Sequence, residues 1–333
     1  MHGEQPWIRI HSIHGVRRPT ATDRAHQIDT AHYDGPPAAR LGRRGASAAW
    51  RDQREDGMAA KKDDRQSFEA LLRVKPGSKV DVARFDCAAT FGRDKDVATD
   101  ELPQVLARLT DLQARTWAEA KHAVLVVVQG IDAAGKDGTI KVIAGAFNPQ
   151  GTPVTSFKAP SALELAHDYL WRVHQRVPAR GEIGIFNRSY YEDVLIVRVH
   201  ALVPEERWRK RYEHIRNFEK MLTDEGVTIV KFFLAIDRDE QRARFQDRVD
   251  DPTKRWKFNP GDLEERNRWD DYSAAFSEML HETSTSYAPW YLVPANRNWL
   301  RNLAVGEILA DTLDALKPTY PPAATGVAGT KVV

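Results

Sequence analysis

Apolar runs separated by polar turns divide the chain, from about residue 100 onward, into alternating strand-like and helix-like stretches. Ala123–Gln129 reads AVLVVVQ, an unbroken and mostly β-branched run, the pattern of a strand buried on both faces of a parallel sheet. Just upstream, Leu102, Val105, Leu106, Leu109, Leu112 and Trp117 recur at helical spacing. The pattern predicts a helix over residues 136–146 and further strands over residues 152–157, 182–186, 227–236 and 290–293. Residues 204–222 open with a proline, which a first helical turn accepts. They also place Trp208, Tyr212, Ile215, Phe218 and Leu222 on one stripe, as core packing requires. Strand, helix, strand, repeated, predicts an α/β fold: a doubly wound parallel sheet with helices on both faces.

The opening of the chain breaks this pattern. Residues 1–57 have sparse apolar positions with no period, contain no lysine (the first is Lys61), and are rich in Gly, Pro, Ala and His. They read as a disordered extension, with Met58 as an alternative start. Residues 58–100 then read as an N-terminal arm, residues 101–321 as the main domain and residues 322–333 as a disordered tail. Composition narrows the function only by exclusion. With 42% hydrophobic and 29% charged residues and a net charge of +2, there is no global field to draw the chain to nucleic acid or membrane. A highly anionic ligand would need locally clustered charge. The single cysteine, Cys87, cannot form an internal disulfide, which fits a reducing cytoplasm. No apolar run approaches the ~20 residues of a spanning helix, and the first residues lack the plan of a signal peptide.

The candidate chemistry begins directly after the buried strand. In QGIDAAGKDGTIK, Gly130 is followed by four residues and then Gly135-Lys136, the spacing of a P-loop. Its glycines let backbone N–H groups face phosphate, and its lysine supplies a mobile positive charge. The cradle comprises Gly130, Ala133, Ala134, Gly135, Asp137, Gly138 and Thr139. Position 137 is Asp where Ser or Thr ordinarily binds magnesium, so the metal role passes to Thr139, Asp132 or Asp137. A second cluster, Asn187-Arg-Ser-Tyr-Tyr-Glu-Asp, follows the third strand, and ligands in such sheets sit beyond the carboxyl ends of the strands. Arg188, Glu192, Asp193 and Arg198 are its charged residues, with plain ion pairing as the alternative. A third cluster runs from Arg248 to Gly261 and carries Lys254, Arg255 and Lys257 among prolines. Over residues 248–272 it reads as a lid that closes over phosphates.

Together these clusters resemble the family-2 polyphosphate kinases, P-loop proteins similar in fold to thymidylate kinases. The resemblance extends from about Phe68 to Pro321. It rests on RVKPGSKVD, QGIDAAGKDGTIK, FNPQG, TSFKAP, GEIGIFNRSYYEDVLIVRVH, KRWKFNPGDLEER, WDDY and APWYLVPANRNWLRNL, in that order. It implies Mg²⁺-dependent phosphoryl transfer between inorganic polyphosphate and nucleotides (AMP, ADP, ATP), in a cytoplasmic homo-oligomer, dimer or tetramer. It also implies that Asp132, Lys136, Arg188, Arg198 and Arg248 carry catalysis, to which the reading of the residues themselves adds Asp193, with Asp132 and Asp193 holding the metal. Lys158, Asn187, Glu192, Lys254 and Lys257 would contact phosphate or nucleotide. Members using nucleoside diphosphates often read Asp-Arg-Ser-Trp-Tyr-Asn-Arg where this chain reads Asn187-Arg-Ser-Tyr-Tyr-Glu-Asp. The present form is similar to the subgroup that also accepts monophosphates, and its missing acid at position 187 shifts metal binding to Asp132, Asp193 or Glu192. The alternatives are an ATP-dependent nucleotide kinase of the thymidylate kinase type and a non-catalytic phosphate-binding module.

Overall fold

The computed structural model describes residues 66–327 and residue 330. The expected extension, residues 58–65 of the arm, and positions 328, 329 and 331–333 of the tail lie outside the described residues. Five strands form the sheet: β1 (Ala123–Gln129), β2 (Val154–Ser156), β3 (Ile183–Asn187), β4 (Val227–Ala235) and β5 (Trp290–Pro294). Their order is β2-β3-β1-β4-β5, and every adjacent pair is parallel. The longer helices are α1 (Lys95–Glu119), α2 (Lys136–Ala144), α3 (Glu205–Asp224), α4 (Arg238–Asp250), α5 (Trp269–Thr283) and α6 (Asn298–Ala315). No helix among the described residues is long and apolar enough to cross a membrane.

The all-apolar reading of β1 follows from its central place. All seven residues are buried, because helices cover both faces of the sheet. Val124, Val126 and Val128 point into one core with Leu109 and Leu112 of α1, Ile140 and Ile143 of α2 and the apolar body of α6. Leu125 and Val127 point into the other, with Ile215 and Phe218 of α3 and Phe276 and Met279 of α5. The period of two along the strand is thus shared between two cores.

Local chemistry sets several boundaries. Helix α1 begins at Lys95, earlier than its apolar stripe, because Asp94 caps it by accepting from the Asp96 and Val97 N–H groups; the helix then runs through Pro103. Strand β2 is shortened to three residues at the sheet edge, where only β3 pairs with it. In the second core Lys231 and Glu219 are fully buried as an ion pair, Nζ to Oε2 at 2.7 Å. Glu219 Oε1 also accepts from the hydroxyls of Tyr190 and Tyr191 at 2.7 Å each. This network anchors the segment that follows β3. A parallel sheet places all the strand carboxyl ends on one edge. The connection after β1 packs on one face and the one after β3 on the other, so a crevice opens between them.

Candidate active site

Gly130 leaves β1 where no side chain fits, since a Cβ there would lie 2.7 Å from the Leu234 carbonyl oxygen. Gly135 caps α2 at φ +96, and a Cβ would come 2.0 Å from Arg301 Nη1. Between them Ala133 takes φ +66, a left-handed conformation that side chains rarely adopt. Gly138 and Thr139 lie in the first turn of α2, and the Thr139 N–H donates to the Gly135 carbonyl at 2.9 Å. Lys136 Nζ donates to the Gly130 carbonyl at 2.7 Å and the Ile131 carbonyl at 3.1 Å, and lies 3.9 Å from Asp132 Oδ1. Burial, and then the neighbouring Arg188, pull the Lys136 ammonium down to about 8, although Asp132, Glu192 and Asp137 act the other way.

Arg188 follows β3 at φ +61 and meets the P-loop directly. Its Nη2 donates to Asp132 Oδ1 at 2.6 Å, and its Nη1 lies 3.8 Å from Glu192 Oε2. The Asp132 charge, outweighing burial, holds the guanidinium more firmly protonated than usual. The two departures noted in the sequence also meet. Asn187 Nδ2 donates to Asp137 Oδ1 at 2.7 Å, a bond that an ionised acid at position 187 would replace with repulsion. Asp132, Arg188, Glu192, Gln241, Asp262 and Glu265 line one cleft.

Other expected site residues have partners elsewhere. Of Asp132 and Asp193, the expected metal ligands, only Asp132 lines the cleft, together with Glu192. Asp193 turns away within the same 3₁₀ turn and accepts from Arg211 Nη1 at 2.8 Å. Burial lifts its carboxyl to about 6 against the pull of Arg211. Arg198 donates to Glu278 Oε2 at 2.6 Å and stacks over Trp208. In the residues read as a lid, Arg248 Nη1 is 3.8 Å from Asp262 Oδ2 and Lys254 pairs with Asp247 and Asp251. Lys257 lies over the exposed ring of Trp256. Lys158 is exposed just past β2.

The sequence reading missed the polar residues that hold the P-loop from outside. Arg244 on α4 donates to the carbonyls of Ala133 at 2.9 Å and Ala295 at 2.6 Å. Gln241, on the same helix, donates to the Asp132 carbonyl at 3.0 Å. Arg301, almost wholly buried, donates to Asn298 Oδ1 at 2.7 Å; burial, then Arg244, lowers it to about 10. The sequence signal for all three was basic or amide residues flanking β4 and β5, with no apolar period to locate them.

Among the described residues no three His, Cys, Asp or Glu side chains are gathered as a metal site. The donor chemistry nevertheless suits magnesium, which takes one or two carboxylates and completes its shell with water and substrate phosphates. Asp132 and Glu192 supply carboxylates on the cleft. The Thr139 Oγ1 in the first turn of α2 is buried without a hydrogen-bond partner, as expected of a group whose partner is a ligand.

The chain is similar to known polyphosphate kinases. The family model described as Polyphosphate kinase 2 matches residues 92–321. An AMP/ADP-polyphosphate phosphotransferase of Meiothermus ruber is 55% identical over 251 residues, 75% of this chain and 94% of that protein. An ADP-polyphosphate phosphotransferase of Rhodopseudomonas palustris is 47% identical over 263 residues, covering 75% and 91% of the two chains. The crystal structure of a polyphosphate kinase 2 from Arthrobacter aurescens TC1 superposes with a TM-score of 0.77 at 42% identity, covering 79% of this chain and 95% of that one.

Proposed function

Because this chain belongs to the polyphosphate kinase 2 family, we propose that it transfers phosphoryl groups between inorganic polyphosphate and nucleotides, converting AMP to ADP and ADP to ATP. The observation that carries the reading is the meeting of the P-loop with the Arg188 segment: Arg188 bonds Asp132 on the cleft, and Lys136 lies 3.9 Å from the same carboxylate. The relatives named for AMP and ADP support the choice of acceptors.

Phosphoryl transfer asks mainly for positioning and charge neutralisation. The P-loop N–H groups and Lys136 hold the terminal phosphates of the donor, and Arg188 holds the acceptor phosphate against them. An oxygen of the nucleotide's terminal phosphate forms a bond to the terminal phosphorus of polyphosphate. The bridging P–O bond breaks, its electron pair stays on the polymer, and the polymer ends one residue shorter. The attacking oxygen is already ionised near neutral pH, so no general base is needed. Asp132 and Glu192, and the Thr139 hydroxyl, would hold Mg²⁺, whose chemistry would be to neutralise the phosphate charge. Asp193 and Arg198, each held by a side-chain partner, act in this reading by positioning the segment that carries Arg188 and Glu192. Arg248, Lys254, Lys257 and Lys158 meet the polymer's outer phosphates when residues 248–272 close. A cytoplasmic homo-oligomer, dimer or tetramer, completes the proposal. The test is a nucleotide panel with polyphosphate as sole phosphoryl donor and ATP as the comparison donor. Conversion of AMP and ADP with polyphosphate is expected, and turnover with ATP alone would refute it.

A further inference from the structure

Helix α4 shows no apolar stripe, yet Gln241 on it is one of the most completely buried polar residues, at 1% exposure. Its two ends make two bonds. Nε2 donates to the Asp132 carbonyl at 3.0 Å, and Oε1 accepts from Arg266 Nη1 at 2.9 Å. A guanidinium only donates and a carbonyl only accepts, so the amide can satisfy both in one orientation alone. Arg266 ends the short helix Gly261–Arg266, whose Asp262 and Glu265 line the cleft. Its Nη1 also donates to the Arg238 carbonyl at 2.6 Å.

The bond to Asp132 fixes a peptide plane. In a trans peptide the C=O and the following N–H point in opposite directions. Holding the Asp132 oxygen outward at Gln241 therefore turns the Ala133 N–H toward the inside of the loop. That N–H has no acceptor among the described residues. Ala133 itself sits at φ +66, a conformation that costs roughly 1–2 kcal/mol for a residue with a Cβ and persists only where neighbours hold it. Gln241 and Arg244 are those neighbours, one on each adjoining carbonyl.

We infer that Gln241 is a positioning residue that links the Asp132–Ala133 peptide of the P-loop to Arg266, so that docking of helix Gly261–Arg266 aims the Ala133 N–H at a donor phosphate. The inference rests on the reading of the P-loop as the polyphosphate site. When Arg266 is in place, the amide is locked and the peptide is held in its phosphate-facing orientation. When Arg266 withdraws, the amide can rotate and the strained peptide can relax. Polyphosphate binding and closure of residues 248–272 are thereby coupled through one side chain.

The test compares Gln241→Leu, Gln241→Glu, Arg266→Met and the double variant Gln241→Leu/Arg266→Met. Tripolyphosphate affinity is measured by calorimetry, alongside kcat and KM for polyphosphate and ADP and the melting temperature. Gln241→Glu keeps an acceptor for Arg266 but has no donor for the Asp132 carbonyl, so it separates the peptide contact from side-chain volume. Both Gln241 variants are expected to weaken tripolyphosphate binding and raise KM for polyphosphate about tenfold, the size of one hydrogen bond, with KM for ADP changed less than threefold. Arg266→Met should weaken binding alone but add little to Gln241→Leu. Wild-type affinity in a folded Gln241→Glu protein, or fully additive losses in the double variant, would overturn the inference. If Gln241→Leu fails to fold, Gln241→Glu and Arg266→Met still decide it. A wild-type protein that binds tripolyphosphate without turning over refutes the proposed activity while leaving the affinity test of Gln241 intact; absence of binding refutes both.

Discussion

Lys136 should make the ligand-free enzyme less stable in the pH range where it makes it active. Its ammonium is buried and titrates near 8 rather than at its ordinary 10.5. At 1.36 kcal/mol per pH unit, keeping the charge in the folded state below pH 8 costs on the order of 3 kcal/mol. The sign follows from proton counting. Between about pH 8 and 10.5 the unfolded chain binds a proton that the folded one has lost, so stability rises with pH across that window and falls again as pH drops to 8. Lys136→Met removes this cost at pH 7 but also two hydrogen bonds, to Gly130 and Ile131, together about 2 kcal/mol. The variant is therefore expected to be about 1 kcal/mol more stable than wild type at pH 7 and about 2 kcal/mol less stable near pH 10.5. Turnover should fall 10²-fold or more, as when one electrostatic stabiliser of a transition state is lost. Denaturant melts of both ligand-free proteins at pH 7, 8.5 and 10.5 give the stability difference. Wild-type kcat/KM should decline above about pH 8, because that ratio reports the free enzyme. The limb in kcat should lie higher, since bound phosphate favours the charged amine. A stability difference that keeps one sign across the range, with kcat/KM flat to pH 10, would refute the reasoning.

Three further outcomes test other parts of the site. Lys231→Met leaves the Glu219 carboxylate buried without its ion partner, so urea unfolding should show a loss of about 3–5 kcal/mol. Adding Glu219→Gln, which still accepts from Tyr190 and Tyr191, should restore most of it. Gly135→Ala puts a methyl group 2.0 Å from Arg301 Nη1 at φ +96; we expect about 2 kcal/mol or more of destabilisation and loss of turnover, read by melting and initial rates. Glu192→Asn should lower kcat/KM for AMP roughly tenfold more than for ADP, because the shorter acceptor has fewer phosphates to hold it; equal losses in the two assays would reject that role.

What was legible in the sequence, and what was not, divides along the line between packing and polar chemistry. β1 could be read because burial on both faces demands an unbroken apolar run, and α3 because it buries one stripe and exposes the rest. The P-loop was legible because its backbone geometry excludes side chains at Gly130 and Gly135. Helix α4 left no such trace. It reads RDEQRARFQDRVD and packs polar groups against the outside of the P-loop, with Phe245 its only buried apolar residue. Helix α6 was missed for the opposite reason, being buried on so many sides that apolar and polar positions give little contrast. Asp193 and Glu192 show a finer limit. They are adjacent acids after the same strand, and composition treats them alike. The 3₁₀ turn sends one to Arg211 and the other to the cleft, a choice made by Arg211 eighteen residues later in the chain. The pairing of Asn187 with Asp137 has the same character. Each looks like an isolated departure in the sequence. Only the parallel pairing of β1 with β3, which sets Val128 beside Asn187, brings them together, and there each accounts for the other: the amide at 187 donates a hydrogen bond to the acid at 137.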